Sequence, residues 1–155
     1  MTTFHPGTSF ARTLLLGEST LNILSGVSLI FYPSLFSSAL FPTLAPSTLT
    51  STNAIFQWFG VCTIGLAIPL ALGHPDSLSG VVTRRAAYIT TGAAEALFVP
   101  VLLWQVGKGT IDATAGYAMA GGLAGMLTWR VHCTFVKPEV LGYAGSLCCD
   151  EKKGQ

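Results

Sequence analysis

Long apolar stretches separated by short polar breaks make up most of the chain. The first break, residues 34–52, is rich in Ser, Thr and Pro and predicts an interfacial loop or a short surface helix. HPDSLSG and GKGT predict tight turns. Each apolar stretch satisfies the roughly 20 residues that a helix needs to cross a bilayer. The predicted spans are residues 12–33, 53–73, 84–106 and 110–136.

This pattern predicts an all-α protein, a four-helix transmembrane bundle that runs up-down-up-down. The membrane domain covers residues 1–137, and residues 138–155 form a tail that we expect to be poorly ordered because it has little to pack against. The composition agrees, since 50% of the 155 residues are hydrophobic and 10% are charged, against about a quarter in soluble domains. A net charge of +1 without a basic face excludes nucleic acid as a partner.

The basic residues predict which way the bundle faces. Four crossings place both termini on one side, and seven of the eight Lys and Arg residues fall on that side, with Lys108 alone opposite. The seven are Arg12, Arg84, Arg85, Arg130, Lys137, Lys152 and Lys153. Because cytoplasmic loops carry the excess of basic residues, we predict cytoplasmic termini and a multi-pass membrane protein, with the endoplasmic reticulum preferred. The first stretch is longer than the apolar core of a signal peptide and is expected to be retained.

Two acidic residues lie inside the predicted spans. At 1.5 Å per residue, Glu18 lies about 9 Å beyond Arg12, and Glu95 lies about 15 Å beyond Arg85. An acidic residue at such a depth costs a few kcal/mol on insertion and usually faces protein or a wet cavity. Glu18 and Glu95 are therefore the candidate catalytic residues.

Polar neighbours share the helix faces of these two glutamates. Asn22 follows Glu18 by one turn, while Thr91 and Tyr88 precede Glu95 by one and two turns. If the first and third helices pack with these faces inward, the two carboxyls line one pocket and share a proton as an acid/base pair. Asn22, Tyr88 and Thr91 would then position a substrate. The alternative is that these polar residues only hold the bundle together by hydrogen bonds, or that Glu18 pairs with Arg12.

Aromatic and basic residues near the span ends give weaker signals. Gln57 and Trp58 open the second span and are predicted to contact substrate, although an aromatic residue there is also typical of an interface anchor. The fourth span closes with Trp129, Arg130 and His132, which are expected to meet lipid headgroups, with a contact of His132 or Arg130 to a ligand as the alternative.

The cysteines and glycines allow further predictions. Cys148 and Cys149 lie just beyond the last span, a pattern typical of palmitoylation sites, with two incidental thiols as the alternative. Their spacing from His132 is not that of a zinc site, so no metal is predicted, and no cofactor is predicted either. Gly121 and Gly125 in the fourth span predict close helix packing within the chain or, alternatively, a homodimer.

Two stretches carry a resemblance to known proteins. LLLGESTLNILSGVSLIFYP and RRAAYITTGAAEALFVPVLLW resemble small four-helix membrane proteins of the DoxX-like kind and tetraspan proteins of fungal biosynthetic clusters. Glu18 and Glu95 are also similar, in chemistry alone, to the acidic residues of membrane terpene cyclases and sterol isomerases. The resemblance implies a membrane enzyme of secondary metabolism, a cyclase or isomerase acting on a lipophilic terpenoid or polyketide-like intermediate. The alternative is a non-catalytic tetraspan subunit or lipid-handling protein.

Overall fold

The computed structural model describes residues 3–5, 7–43 and 45–145, and helices make up nearly all of this part of the chain. Two short strands, β1 (Thr3–His5) and β2 (Tyr143–Gly145), pair antiparallel and join the two ends of the described chain. The five α-helices are α1 (Ser9–Phe31), α2 (Pro33–Leu40), α3 (Pro46–Leu72), α4 (Leu78–Gly107) and α5 (Ala113–Val131). A π-helical turn, His132–Val136, and a 3-10 turn, Pro138–Val140, follow α5.

Three of the long helices begin at a side chain that caps the first turn. Thr8, Ser77 and Asp112 each accept a hydrogen bond from the backbone N–H three residues later, at 3.3, 3.1 and 2.9 Å. Short polar side chains at these positions satisfy N–H groups that the helix itself leaves unpaired. The polar breaks in the sequence therefore fix where α1, α4 and α5 begin. The first break contains the short helix α2, one of the two structures predicted there, and from Pro46 onward the break already belongs to α3.

The four long helices alternate in direction, so the bundle has a terminal end and an opposite end. At the terminal end, the Thr8 N–H donates to the Val140 carbonyl at 3.0 Å, and Arg12 forms an ion pair with Asp76. At the opposite end, the Gln57 side chain donates to the Ile30 carbonyl at 3.0 Å. The contacts at the terminal end join the start of α1 to the turn after α3 and to the chain beyond α5. The contact at the opposite end joins the end of α1 to α3.

Three helices, α1, α3 and α4, are long and apolar enough to cross a membrane, which fits a multi-pass integral membrane protein. Their surfaces are largely apolar, since residues such as Phe31, Trp58 and Leu97 are more than two-thirds exposed. Helix α5 falls short of the same hydropathy because its 19 residues include four glycines and Arg130.

The helices pack in the order α1, α3, α4, α5, so α1 and α4 are not neighbours. The expectation that the first and third spans pack side by side is therefore wrong. Helices α1 and α3 approach each other closely at Gly26 and Gly60, where a Cβ on either residue would lie 2.7 Å from the other's carbonyl oxygen. Gly121 and Gly125 have open space around them instead, so they mediate no close packing within the described chain.

The buried core lies at the terminal end and includes part of the predicted tail. Leu141 is fully buried with Leu15, Leu70 and Tyr88. Arg84 is also fully buried, and its Nε and Nη1 atoms donate to the carbonyls of Gly73 and Leu141, each at 2.8 Å. The expectation that the chain beyond the fourth span has little to pack against is therefore wrong for residues 138–145, because Leu141 and β2 are held against the bundle.

Candidate functional site

Glu18 and Glu95 bind the same guanidinium group inside the bundle. The Nε atom of Arg130 donates to both carboxylate oxygens of Glu95, each at 3.0 Å, and its Nη2 atom forms an ion pair with Glu18. Because both carboxylates contact one guanidinium, the residues of α1 and α4 that were predicted to share a site do lie together. Arg130 of α5 brings them together, rather than direct packing of α1 on α4. We call these three residues the carboxylate–arginine cluster.

Arg130 is 2% exposed and therefore does not meet lipid headgroups as expected. Its guanidinium carbon lies 5.1 Å from the centre of the Tyr88 ring, a cation–π contact. The Tyr88 hydroxyl in turn accepts a hydrogen bond from Trp129 Nε1 at 3.3 Å. Gly92 of α4 lies beside the aliphatic part of Arg130, where a Cβ would be 3.5 Å from Cδ. The α4–α5 interface thus holds the guanidinium towards the two glutamates.

The cluster keeps polar atoms that have no partner in the described part of the chain. Arg130 Nη1 and Glu18 Oε2 are buried and make no hydrogen bond there. The neighbouring Asn22 side chain is partly exposed and makes no hydrogen bond to the described residues either. Buried polar groups in native proteins are nearly always paired, so a purely structural network is expected to be satisfied. This cluster has hydrogen-bonding capacity beyond what holds the helices together.

A cavity of about 620 Å³ extends from the cluster between the four long helices. Its polar lining is at the end that holds Glu18, Asn22, Thr91, Glu95 and Arg130, and almost all the rest is apolar. From Thr91 to Leu102 the cavity follows α4 for about 16 Å, about half the hydrocarbon thickness of a bilayer. The remaining lining residues are Ile55, Phe56, Phe59, Thr63, Leu66, Ala94, Phe98, Ala118, Met119, Gly122 and Leu123.

The cavity includes two of the five residues predicted to bind substrate. Asn22 and Thr91 both line it beside the cluster. The Thr91 hydroxyl donates its proton to the Ala87 carbonyl at 2.6 Å, so the Thr91 oxygen can act only as an acceptor towards the cavity. Tyr88 is fully buried and lines a second, smaller cavity of about 270 Å³, so it supports Arg130 and does not border the main cavity.

Gln57 and Trp58 lie away from the cavity. The Gln57 side chain is used in the hydrogen bond to Ile30, and Trp58 is 73% exposed on the outside of α3. The prediction that they bind substrate is therefore wrong. Consecutive residues of a helix point about 100° apart, and in this turn of α3 the side chains that line the cavity are those of Phe56 and Phe59. The exposure of Trp58 agrees with the interface anchor that was its alternative.

Arg130 is the central residue that sequence reasoning placed wrongly, at the lipid headgroups, with a contact to a ligand only as the alternative. It was assigned to the cytoplasmic end of the fourth span, but it precedes residue 136, the predicted end of that span, by six residues, or about 9 Å of helix. That depth matches the depth of Glu18. Two buried carboxylates also need a cation, and Arg130 is the basic residue inside a predicted span at that level.

No group of three or more His, Cys, Asp or Glu side chains that could hold a metal ion occurs in the described ranges. The proposed lipidation sites, Cys148 and Cys149, lie outside the described residues, and their modification stays a prediction.

The chain matches no protein-family model, no curated protein and no solved structure.

Proposed function

We propose that the chain crosses the membrane four times, with both termini in the cytoplasm and the endoplasmic reticulum as the preferred location. The antiparallel pairing of β1 with β2 supports termini on one side. Arg12, Arg84, Arg85 and Lys137 lie towards that end, and Lys108 lies at the other end over the Trp104 ring at 4.4 Å. This distribution supports a cytoplasmic terminal end by the positive-inside rule. Helix α5 serves as the fourth crossing because its one charged residue, Arg130, is neutralised inside the bundle.

We propose that the protein is a membrane enzyme that acts on a lipophilic intermediate by acid/base chemistry, of the cyclase or isomerase type. The observation that carries this proposal is the carboxylate–arginine cluster at one end of a long apolar cavity. A cavity of this shape suits a largely hydrocarbon molecule with a polar or unsaturated group at one end. The Asn22 amide beside the cluster makes no hydrogen bond to the described residues, which supports a ligand that both donates and accepts hydrogen bonds there.

The charges of the cluster support proton transfer. Two carboxylates and one guanidinium sum to one net negative charge when all are ionised, and a single added proton makes the cluster neutral. A neutral cluster is favoured where water is scarce, because an uncompensated charge is costly there. The cluster then holds one carboxylic acid and one carboxylate, which are the acid and the base that such chemistry needs.

An isomerisation illustrates how this cluster would work. The carboxylic acid of one glutamate gives its proton to an alkene carbon, and the carboxylate of the other removes a proton from a carbon adjacent to the resulting cation. The double bond moves, no atom is gained or lost overall, and the cluster again holds one proton. Arg130 stays charged and keeps both carboxyls near the reacting carbons. The apolar walls, such as Phe59 and Phe98, exclude water that would capture the cation.

The second candidate function is a non-catalytic tetraspan subunit or lipid-handling protein. The observation that favours it is that Arg130 joins three helices through charged hydrogen bonds to Glu18 and Glu95. Such bonds across helices stabilise membrane bundles without any chemistry. Under this alternative, the cluster needs no titratable proton.

Replacing each glutamate by glutamine separates the two functions. Glu18→Gln and Glu95→Gln keep the shape and much of the hydrogen bonding but remove the proton that the cluster transfers. In the native host, each variant is expressed in place of the original gene at matched protein level, and lipid extracts are compared by mass spectrometry. The enzyme proposal predicts that a product disappears and its precursor accumulates in both variants. Unchanged extracts in both variants would contradict it and favour the structural alternative.

A further inference from the structure

Helices α1 and α5 both border the cavity but are not packed against each other along their lengths. At the terminal end they are joined by Phe10 and Trp129, whose ring centres are 5.7 Å apart, and by the ion pair of Glu18 with Arg130. Towards the opposite end the connection runs through α2, where the Leu40 carbonyl accepts a hydrogen bond from the N–H of Asp112 at 2.8 Å. Between these two connections the wall of the cavity is interrupted on the α1–α5 side.

Small residues of α5 border this interruption. Ala118 and Gly122 line the cavity and are exposed, and Asn22 of α1 lines it from the other side. A Cβ placed on Gly122 would meet no atom within 4 Å. Since nothing in the described part of the chain packs against Gly122, close helix packing there does not explain why the residue is small. The backbone of Gly122 therefore borders open space that leads into the cavity.

The interruption faces the hydrocarbon of the bilayer. It lies part-way along α1 and α5, whose outer surfaces carry large apolar side chains, such as Leu21 and Tyr117, that are at least 60% exposed. A molecule dissolved in the bilayer meets this side of the bundle without passing through water. An amphiphile with one polar group can then place that group at Asn22 and the cluster, with its hydrocarbon part along the cavity.

We infer that lipophilic molecules enter the cavity sideways from the bilayer, between α1 and α5, and that Gly122 is a specificity-determining residue that sets how wide a molecule can enter. The inference rests on the proposed function for the nature of the ligand, a largely apolar molecule with one uncharged polar group. Beside the neutral cluster, an anionic or a cationic group would be an uncompensated charge in a place where water is scarce. An ammonium group would offer only donors, whereas a hydroxyl both donates and accepts.

The chain offers a matched control for Gly122 in its neighbour Gly121. Both glycines are exposed, both lie inside α5, and a Cβ on either residue would meet nothing within 4 Å. Only Gly122 lines the cavity. Gly122→Trp and Gly121→Trp therefore make the same change in the same helix turn, but only the first places an indole at the opening.

The test uses tetradecanol that carries a photoreactive diazirine, with the full-length protein in phosphatidylcholine nanodiscs. Labelling of α4 and α5 peptides is measured by mass spectrometry, and the specific part is that removed by excess unlabelled tetradecanol. We expect specific labelling of the original chain, a loss of at least tenfold in Gly122→Trp, and no more than a twofold change in Gly121→Trp. Tetradecanoate and tetradecylamine should compete less well than tetradecanol. Gly122→Met serves as a smaller obstruction should the indole prevent folding, with the unfolding midpoint as the check.

Equal labelling of the two tryptophan variants, whether retained or lost, would overturn the proposed entry route. Equal competition by the alcohol, the acid and the amine would overturn the assignment of an uncharged polar group. Both readouts measure binding, so they are independent of turnover.

Should the labelling contrast hold while Glu18→Gln and Glu95→Gln leave the lipid extracts unchanged, the entry route stands and the enzyme proposal fails. Should both glutamine variants lose the product while the labelling contrast is absent, the enzyme proposal stands and the entry route fails.

Discussion

Arg84 and Arg130 are both buried in the bundle, yet the hydrogen bonds that their guanidinium groups make to the described residues differ in kind. Arg84 donates to the backbone carbonyls of Gly73 and Leu141, which close the turn after α3 and fix the chain beyond α5. Arg130 donates to two carboxylates beside a cavity and keeps an unpaired Nη1 atom in the described part of the chain. Burial of a charge therefore does not by itself indicate function. The partners do, because carbonyls cannot exchange protons at ordinary pH and carboxylates can.

The largest expected effect comes from removing the charge of Arg130. Arg130→Met leaves Glu18 and Glu95 buried without a cation and should lower the free energy of unfolding by about 3–5 kcal/mol. The measurement is the loss of helical signal on unfolding in detergent. The matched control is Arg130→Met combined with Glu18→Gln and Glu95→Gln, which makes the cluster neutral. The combined variant should recover most of the loss, and no recovery would show that charge imbalance is not the cause.

A smaller effect is expected at Arg84. Arg84→Met removes the donors to the Gly73 and Leu141 carbonyls and should cost about 2–4 kcal/mol, because two buried acceptors lose their partner. The adjacent Arg85→Met is the control, since Arg85 is partly exposed and such changes usually stay within about 0.5 kcal/mol. Binding of photoreactive tetradecanol should be unchanged in Arg84→Met after correction for folded protein. Loss of that binding would contradict the distinction between a structural Arg84 and a functional Arg130.

Truncating the chain before Leu141 tests the contact between Arg84 and Leu141 by removing Leu141. Removing residues 138–155 deletes Leu141, whose side chain is fully buried and whose carbonyl binds Arg84. Burial of a leucine side chain contributes about 1.5–3 kcal/mol, so the truncated protein should lose at least that much stability. Removing only residues 146–155 keeps every described contact and should lower the unfolding midpoint less than the longer truncation does. Equal midpoints for the two truncations would mean that Leu141 does not anchor the chain.

The general architecture was predictable because hydrophobic length and turn residues are local properties. Thr8, Ser77 and Asp112 mark helix starts in the sequence, and the apolar stretches match three helices able to cross a membrane. The packing of α1 against α3, instead of α4, was not predicted. Gly121 and Gly125 form a G-x-x-x-G interval but meet no other described helix, whereas Gly26 and Gly60 have no glycine at that spacing and do meet across α1 and α3.

The candidate site was predictable in part for a related reason. Glu18 and Glu95 stand out because a carboxylate inside an apolar stretch is costly, and Asn22 and Thr91 follow from helical spacing. Arg130 was misplaced because a basic residue near the end of a span is usually at the membrane surface. Tyr88 shares the face of Glu95 along α4, yet it packs under the guanidinium. Helical spacing specifies a direction from one axis and does not specify which neighbouring helix fills that direction.

The central claim is that Glu18, Arg130 and Glu95 together hold one transferable proton, and infrared spectroscopy tests it most directly. The protein carries ¹³C-labelled glutamate and has Glu139 and Glu151 replaced by glutamine, so the labelled carboxyl signal comes from the cluster alone. At neutral pH the account predicts the C=O band of one neutral carboxylic acid. That band should vanish in both Glu18→Gln and Glu95→Gln, since each leaves one carboxylate balanced by Arg130, and it should remain in Arg84→Met. A cluster with no neutral carboxyl band, or a band that persists in both glutamine variants, would contradict the shared proton.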